Sequence, residues 1–534
     1  MFKPKIFTAF NDYTKEQFLK DIMAGAIVTV LAIPLSIAFS IAMGVPPQMG
    51  LYVSIIGSFF IALLGGTYTQ VAGPSAVYIV AINAIYQSHG FQGIIISTFL
   101  AGIILILLGI FRLGAIIKYL PYPIMIGFMS GIALVIFTQQ IRGFLGLDIG
   151  PSPANFAARW LFYLRNLGRS DVLTVLIGAL GLGIMIFWPR VTKKIPGGLV
   201  ALIATTGLVA IFNLPVQTIG TQFDDLTLTL PTLAFPTFQW ADTLSYLDSA
   251  FTLAFLCVIT SLLTAVAADN LTDKKHDSNT ELIAQGISNV FLGFCGYIPS
   301  AGVTTRTMAN VASGARTPMS TFIHSILLAL AVFFLMPLMS LIPMVTLASM
   351  LIMASYGMSE WRMFKRMFRA PKGDLLVLLV TFILTIAVEL SIAVLVGIVL
   401  SCVVFMRRMS GQMQVDDNCD ISKDLPDDIS VFDVSGPLFF GDTEKFLDAI
   451  PVSRQISKVI ILRLRNVGLM DSTAMRAINI LHDKCQLHDV TLVLSETTDG
   501  PYHAMKKLGM VKQLGRENVC REFEEAVKQA KSKI

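Results

Sequence analysis

The sequence predicts a polytopic α-helical membrane protein of about fourteen transmembrane segments, closed by a soluble α/β domain. Three observations predict it. Only 14% of the 534 residues are charged, where soluble domains carry about 25%, and 54% are hydrophobic. Apolar runs recur from Ile22 to Met406, many of them long enough for the ~20 helical residues that cross a hydrocarbon core. After Arg408 the composition turns polar, and short strand-like and helical patterns alternate to the end. The domains expected are a lead-in over 1–20, a transmembrane region over 21–408, a linker over 409–428 and a soluble domain over 429–534.

The lead-in is polar with a short amphipathic piece. It has no apolar core followed by a cleavage-like site, so no signal peptide is expected. The first span, 21–43, contains Pro34, which removes a helix hydrogen bond and predicts a kink. Gly44-Val45-Pro46-Pro47 is a turn, and 49–64 returns. Gly65 and Gly66 then end the helix, 67–71 is β-prone and extended, and Pro74 suits the first turn of a new helix. That helix, 75–85, is too short to span. Further spans are expected at about 93–111, 120–141, 172–188 and 197–213.

The second half repeats the theme at about 249–268, 280–295, 304–313, 317–336, 338–354, 374–388 and 391–406. Its interrupted segment is Gly296-Tyr297-Ile298-Pro299-Ser300-Ala301-Gly302, followed by Val303-Thr304-Thr305-Arg306-Thr307. A helix that starts at membrane depth presents unpaired N–H groups and a positive dipole end, which suits an anion. Irregular backbone at that depth survives only where protein or a water-filled cavity surrounds it. Two such interruptions at corresponding places point to a transporter binding site, and seven segments per half force the repeats into inverted topology.

Basic residues set the orientation. Counting spans from an inside N-terminus puts Lys3, Lys5, Arg112, Lys118, Arg190, Lys193, Lys194, Arg362, Lys365, Arg366, Arg369, Lys372, Arg407 and Arg408 on the cytoplasmic side. The 214–248 loop, expected outside, has no Lys or Arg but has Asp224, Asp225, Asp242 and Asp248. The 142–170 connection, also expected outside, breaks the rule with Arg142, Arg159, Arg165 and Arg169. An amphipathic outer helix is the preferred reading over a basic vestibule. The net charge of +5 lies at membrane edges and implies no nucleic-acid partner.

Other chemistries find no support. The six Cys (257, 295, 402, 419, 485 and 520) form no CxxC and have no His at ligand spacing, so they read as reduced structural thiols, with neither metal nor cofactor expected. Walker, dinucleotide and GxSxG signatures are missing, so no enzyme is expected. Asp269 and Glu281 flank a polar loop and read as caps, and Glu389 sits in a short outer turn. In the tail, 431–435, 459–464 and 490–495 read as strands, and 442–449, 472–487, 502–508 and 521–530 as helices.

Five motifs carry a family resemblance. They are Ala32-Ile33-Pro34; Gly44-x-Pro46-Pro47-x-x-Gly50-Leu51-Tyr52; Gly73-Pro74-Ser75-Ala76; Glu281-Leu282-x-x-Gln285-Gly286-x-x-Asn289; and Arg306-Thr307-x-x-Asn310-x-x-x-Gly314-Ala315-Arg316-Thr317. In this order they resemble the sulfate permease (SulP) anion transporter family, and the tail with Asp471-Ser472-Thr473-Ala474 looks like its STAS domain. The resemblance implies seven plus seven inverted repeats like those of uracil permeases. A core domain would hold the anion between the third and tenth segments and move against a gate domain. It also implies a homodimer in the bilayer of the inner membrane, with both termini cytoplasmic.

By position, the resemblance places Leu35, Phe39, Ser75, Ala76, Val77, Thr260, Ser261, Thr304, Thr305 and Arg306 in the site. The hydroxyls could instead bond back to the preceding helical turn, Phe39 could be core, and Arg306 could serve a structural pair. Many members carry an acid in the eighth segment, where this chain has Ile259-Thr260-Ser261. Thr260 cannot carry charge and Arg306 is permanently cationic, as in prestin-type animal exchangers. Coupling to Na⁺ or H⁺ through that position is therefore not expected. Ser472 matches a phosphorylatable position of bacterial STAS proteins or is simply a helix cap.

The function expected is secondary transport of sulfate or bicarbonate by an elevator-like movement. A chloride channel of the same fold and a dicarboxylate transporter are the alternatives. A uracil-type permease would want acidic groups in the site, against Thr260-Ser261, and a membrane-bound signalling scaffold would be excluded by transport from a chain ending near Arg408.

Overall fold

The computed structural model describes residues 2–10, 13–115, 120–150, 153, 155–192, 196–223, 244–388, 390–410, 412–417, 425–453 and 457–534. Lys118, Lys193, Lys194, Asp224, Asp225, Asp242, Glu389 and Cys419 lie outside them. The chain divides into two compact units, Met1–Ile398 and Val399–Ile534.

The first unit opens with a short turn of helix, Ile6–Ala9. Helix α1 (Lys15–Ala42) follows, starting six residues before the expected span. Thr14 accounts for the early start, because its hydroxyl accepts the Gln17 N–H at 3.2 Å and caps the helix. The helix continues through Pro34. Then come α2 (Pro47–Leu64), a two-residue strand β1 (Ala72–Gly73) and α3 (Tyr78–Ile110). The expected half-helix and the span after it are both in α3, divided only at Gly90, whose φ of 63° interrupts the helix. The run continues with α4 (Tyr122–Leu145), α5 (Val172–Val191), α6 (Gly197–Ile211), α7 (Leu247–Thr272) and α8 (Ser278–Phe294). It ends with β2 (Ala301–Gly302), α9 (Thr304–Ala312), α10 (Met319–Met339), α11 (Met344–Met358), α12 (Lys372–Ala387) and the first part of α13 (Leu390–Ser410), within which the second unit begins.

Among the described residues, eight helices are long and apolar enough to cross a membrane. Small residues let the helices of this unit approach closely. A Cβ on Gly286 of α8 would meet the Gly102 carbonyl of α3 at 2.6 Å, and one on Gly127 of α4 would meet the Leu378 carbonyl of α12 at the same distance. The Arg-bearing 142–170 connection carries a helix, Phe156–Arg165, capped by Asn155. Arg142 and Arg159 there donate to the backbone carbonyls of Leu147 and Pro153.

The second unit holds a four-stranded sheet in the order β3 (Gln414–Asp417), β4 (Ile429–Ser435), β5 (Val459–Asn466) and β6 (Thr491–Ser495). Strands β4 to β6 are parallel, and β3 pairs antiparallel on the edge. The polar composition of 412–428 predicts a linker, yet part of it is this edge strand. Edge strands need no buried face, so they lack the apolar pattern that marks a strand. Alternate residues of β4 and β5 fill two cores. Phe432, Val434, Ile460 and Leu462 pack with Ile478 and Leu481 of α14 (Ser472–Leu487). Val431, Val459 and Ile461 pack with Ala526 and Ala530 of α15 (Phe523–Lys531) on the other face.

Candidate functional site

The two interrupted segments meet in the first unit. Strands β1 and β2 pair antiparallel, Ala72 opposite Gly302 and Gly73 opposite Ala301. Val303 N–H donates to the Val71 carbonyl at 2.9 Å, and Val71 N–H donates to the Thr307 hydroxyl at 3.0 Å. Each strand leads into a helix start, α3 after four residues and α9 after one, with Val77 and Val303 at the N-cap positions and no side-chain cap bond at either. The opening N–H groups of both helices have no partner within the helix, so two positive dipole ends converge.

Buried side chains hold the irregular backbone. Asn289 acts as a stand-in strand: its Oδ1 accepts the Ser300 N–H at 2.8 Å and its Nδ2 donates to the Ser300 carbonyl at 3.0 Å. Ser261 Oγ accepts the Gly302 N–H at 2.9 Å, and Ser58 Oγ donates to the Ala72 carbonyl at 2.9 Å. The carboxylate of Glu281 accepts from Gly66 N–H at 3.0 Å, the Thr67 hydroxyl at 3.2 Å and Gln285 Nε2 at 3.1 Å. Glu281 thus caps the first break from the opposite half of the chain, while Asp269 pairs with His276 at 2.6 Å.

Beside the paired strands lies a cavity of about 280 Å³. One wall is formed by Leu35 and Phe39 of α1, Ser75, Ala76 and Val77 before α3, Thr260 of α7, and Gly302 to Thr305 at the start of α9. The facing wall comes from α4, α5, α6 and α11, with Met129, Met185, Met350, Met353 and Met358 and the Gly197-Gly198 opening of α6. Residue spacing alone does not point to this methionine wall. The Pro196-Gly197-Gly198 helix start is the one local signal for it.

Eight of the ten expected site residues, Leu35, Phe39, Ser75, Ala76, Val77, Thr260, Thr304 and Thr305, line the cavity. Ser261 and Arg306 do not. Ser261 faces the back of β2, where it holds Gly302. Arg306 is fully buried and its guanidinium donates to Ser54 Oγ at 2.8 Å and Ser36 Oγ at 2.9 Å. The reason is helical geometry: Thr304 and Thr305 face the cavity, so the next position turns about 100° away into the α1–α2 interface. Thr260 bonds back to the Leu256 carbonyl at 2.8 Å, and Thr304 pairs with Thr264 at 2.6 Å. The Ser75 and Thr305 hydroxyls make no hydrogen bond among the described residues, which leaves both available to a ligand. No group of three or more His, Cys, Asp or Glu among the described residues could hold a metal.

A profile described as "Sulfate permease family" matches residues 18–381, and one described as "STAS domain" matches 420–530. The chain belongs to the sulfate permease family. Among its relatives is a Bacillus subtilis (strain 168) protein named "Putative sulfate transporter YvdB", 33% identical over 95% of this chain and 97% of the relative. "Bicarbonate transporter BicA" of Picosynechococcus sp. is 31% identical over 79% of this chain and 78% of that one. Among solved structures, the transmembrane domain of a cyanobacterial BicA matches with a TM-score of 0.65 at 29% identity, over 73% of this chain and 98% of that chain. SLC26A9 matches with a TM-score of 0.87 at 18% identity, over 99% and 92%, and so shares the fold. This sulfate permease family member is therefore a multi-pass membrane protein with an SLC26-like transmembrane region and a STAS domain. In that domain Asp471 is the cap of α14, accepting the Ala474 N–H at 2.8 Å, and Ser472 is its exposed first residue.

Proposed function

We propose that this protein is a secondary transporter of small inorganic anions, sulfate or bicarbonate first, with the anion held between the helix starts of α3 and α9. The observation that carries the reading is the convergence of two helix N-termini, with the free Ser75 and Thr305 hydroxyls, on a cavity whose walls hold no carboxylate. The names of its relatives, sulfate and bicarbonate transporters, support the substrate class.

Arg306 acts from behind in this reading. No carboxylate among the described residues pairs with it, so its charge adds to the positive potential of the helix starts without touching the anion. With α3 counted as two segments about Gly90 and α9 as a short one, the helices make seven plus seven inverted segments. The methionine wall belongs to the gate, and the strand-bearing core moves against it as an elevator. The assembly is a homodimer in the inner membrane, both termini cytoplasmic, and uncoupled from Na⁺ and H⁺ at Thr260.

Radiolabelled sulfate and bicarbonate uptake into proteoliposomes tests this, using wild type, Thr305→Val and Arg306→Gln. Thr305→Val is expected to raise KM by up to about tenfold, the worth of one hydrogen bond. Arg306→Gln should cost more, across both anions. Strict Na⁺ or H⁺ dependence, or indifference of uptake to both substitutions, overturns the assignment.

A further inference from the structure

We propose that the N-terminal arm and the loop after α7 bind the phosphate of an anionic phospholipid. Residues 3–8 lie along the first interrupted segment. Lys5 N–H donates to the Gly65 carbonyl at 2.9 Å, Lys3 N–H to the Thr280 hydroxyl at 3.4 Å, and Thr8 Oγ1 is 3.4 Å from the Tyr68 hydroxyl. The Tyr68 ring is the meeting point. Lys5 Nζ is 5.1 Å and Lys274 Nζ 4.6 Å from its centroid, and Lys274 Nζ also donates to the Arg316 carbonyl at 3.1 Å.

These cations share one ring without a counter-charge. Among the described residues, no carboxylate pairs with Lys5, Lys274 or Arg316, and of the neighbouring acids only the exposed Asp273 is not engaged elsewhere. Glu16 pairs with Lys20, and Asp269 with His276. Asp277 caps α8, and Asp21 accepts from Tyr13, Gln17, Thr317 and the Arg316 N–H. Like charges gathered this way call for an anion.

The surrounding surface selects which anion. Phe7 is 75% exposed, Leu19 61% and Met23 63%, with Phe10 and Phe18 also open. Lysines beside bare aromatic and aliphatic side chains, on the arm and on the first turns of α1, suit a headgroup–acyl boundary. The ligand is therefore a phosphate that carries acyl chains. Because the arm is pinned to Gly65, the lipid would brace the segment that leads to β1.

The test uses the full chain in nanodiscs of phosphatidylcholine with and without phosphatidylglycerol. Thermal midpoints are read, and lipid retained after detergent extraction is counted by native mass spectrometry. Phosphatidylglycerol should raise the wild-type midpoint and remain bound. Lys5→Gln with Lys274→Gln should weaken retention about fivefold per lysine, roughly twenty-five-fold together. The paired Lys→Arg variant should keep it, and Lys20→Gln should leave it unchanged. Equal retention by wild type and the double Gln variant overturns the site. A midpoint rise from inorganic phosphate in detergent as large as that from the lipid overturns the lipid assignment.

Discussion

The two interrupted segments end in the same way, a two-residue strand feeding a helix start, yet they are held differently. The second is braced by its own half of the chain: Asn289, only 11 residues before Ser300, matches both of its backbone groups with a neutral amide. The first is braced from far away by a charge, since Glu281 stands 215 residues beyond the Gly66 it caps. A neutral clamp costs little to bury and loses much when cut. A buried carboxylate repays part of its own desolvation through its hydrogen bonds, so neutralising it costs less than its three bonds suggest.

Three substitutions can break or sharpen that contrast. Asn289→Ala should destabilise most, by about 3 kcal/mol, because it leaves the Ser300 N–H buried without an acceptor. A fall in the thermal midpoint of the purified protein larger than that of any other clamp variant is the expected reading. Glu281→Gln should cost about 1 kcal/mol, since the amide keeps one acceptor and sheds a buried charge. If it unfolds the protein as readily as Asn289→Ala, the distinction between charged and neutral clamps fails. Ser58→Ala should cost the least, about 0.5 kcal/mol, as one of several contacts on the Ala72 side. Hydrogen exchange at the β1 amides would show it as local loosening without a change in global midpoint.

The breaks themselves were legible, because Gly and Pro act through rules of the backbone that need no neighbours. Gly65-Gly66, Pro74, Pro299 and Gly302 fall where helix gives way to strand and strand to helix. Ser75, Thr304 and Thr305 sit at those breaks, whereas Thr260, inside α7, came only with the family resemblance. The direction of Arg306 did not, because it depends on Ser36 and Ser54, which arrive from two other helices and carry no local pattern. The methionine wall was hidden for a related reason: methionine on an apolar helix looks the same whether it faces lipid, core or cavity. In the tail, β4, β5 and β6 announced themselves by buried alternation, whereas the edge strand β3 kept the polar look of a linker.

The hydrogen bond from Val71 to Thr307 spans 236 residues. During synthesis at the membrane, the first half of the chain therefore enters the bilayer with an open strand whose partner has not yet left the ribosome. At about 5–20 residues per second, that wait lasts on the order of ten seconds or more. Unpaired backbone in hydrocarbon is costly, so the 65–73 segment must be sheltered, by water, by an insertase or by the lead-in folded across Gly65, until translation delivers β2.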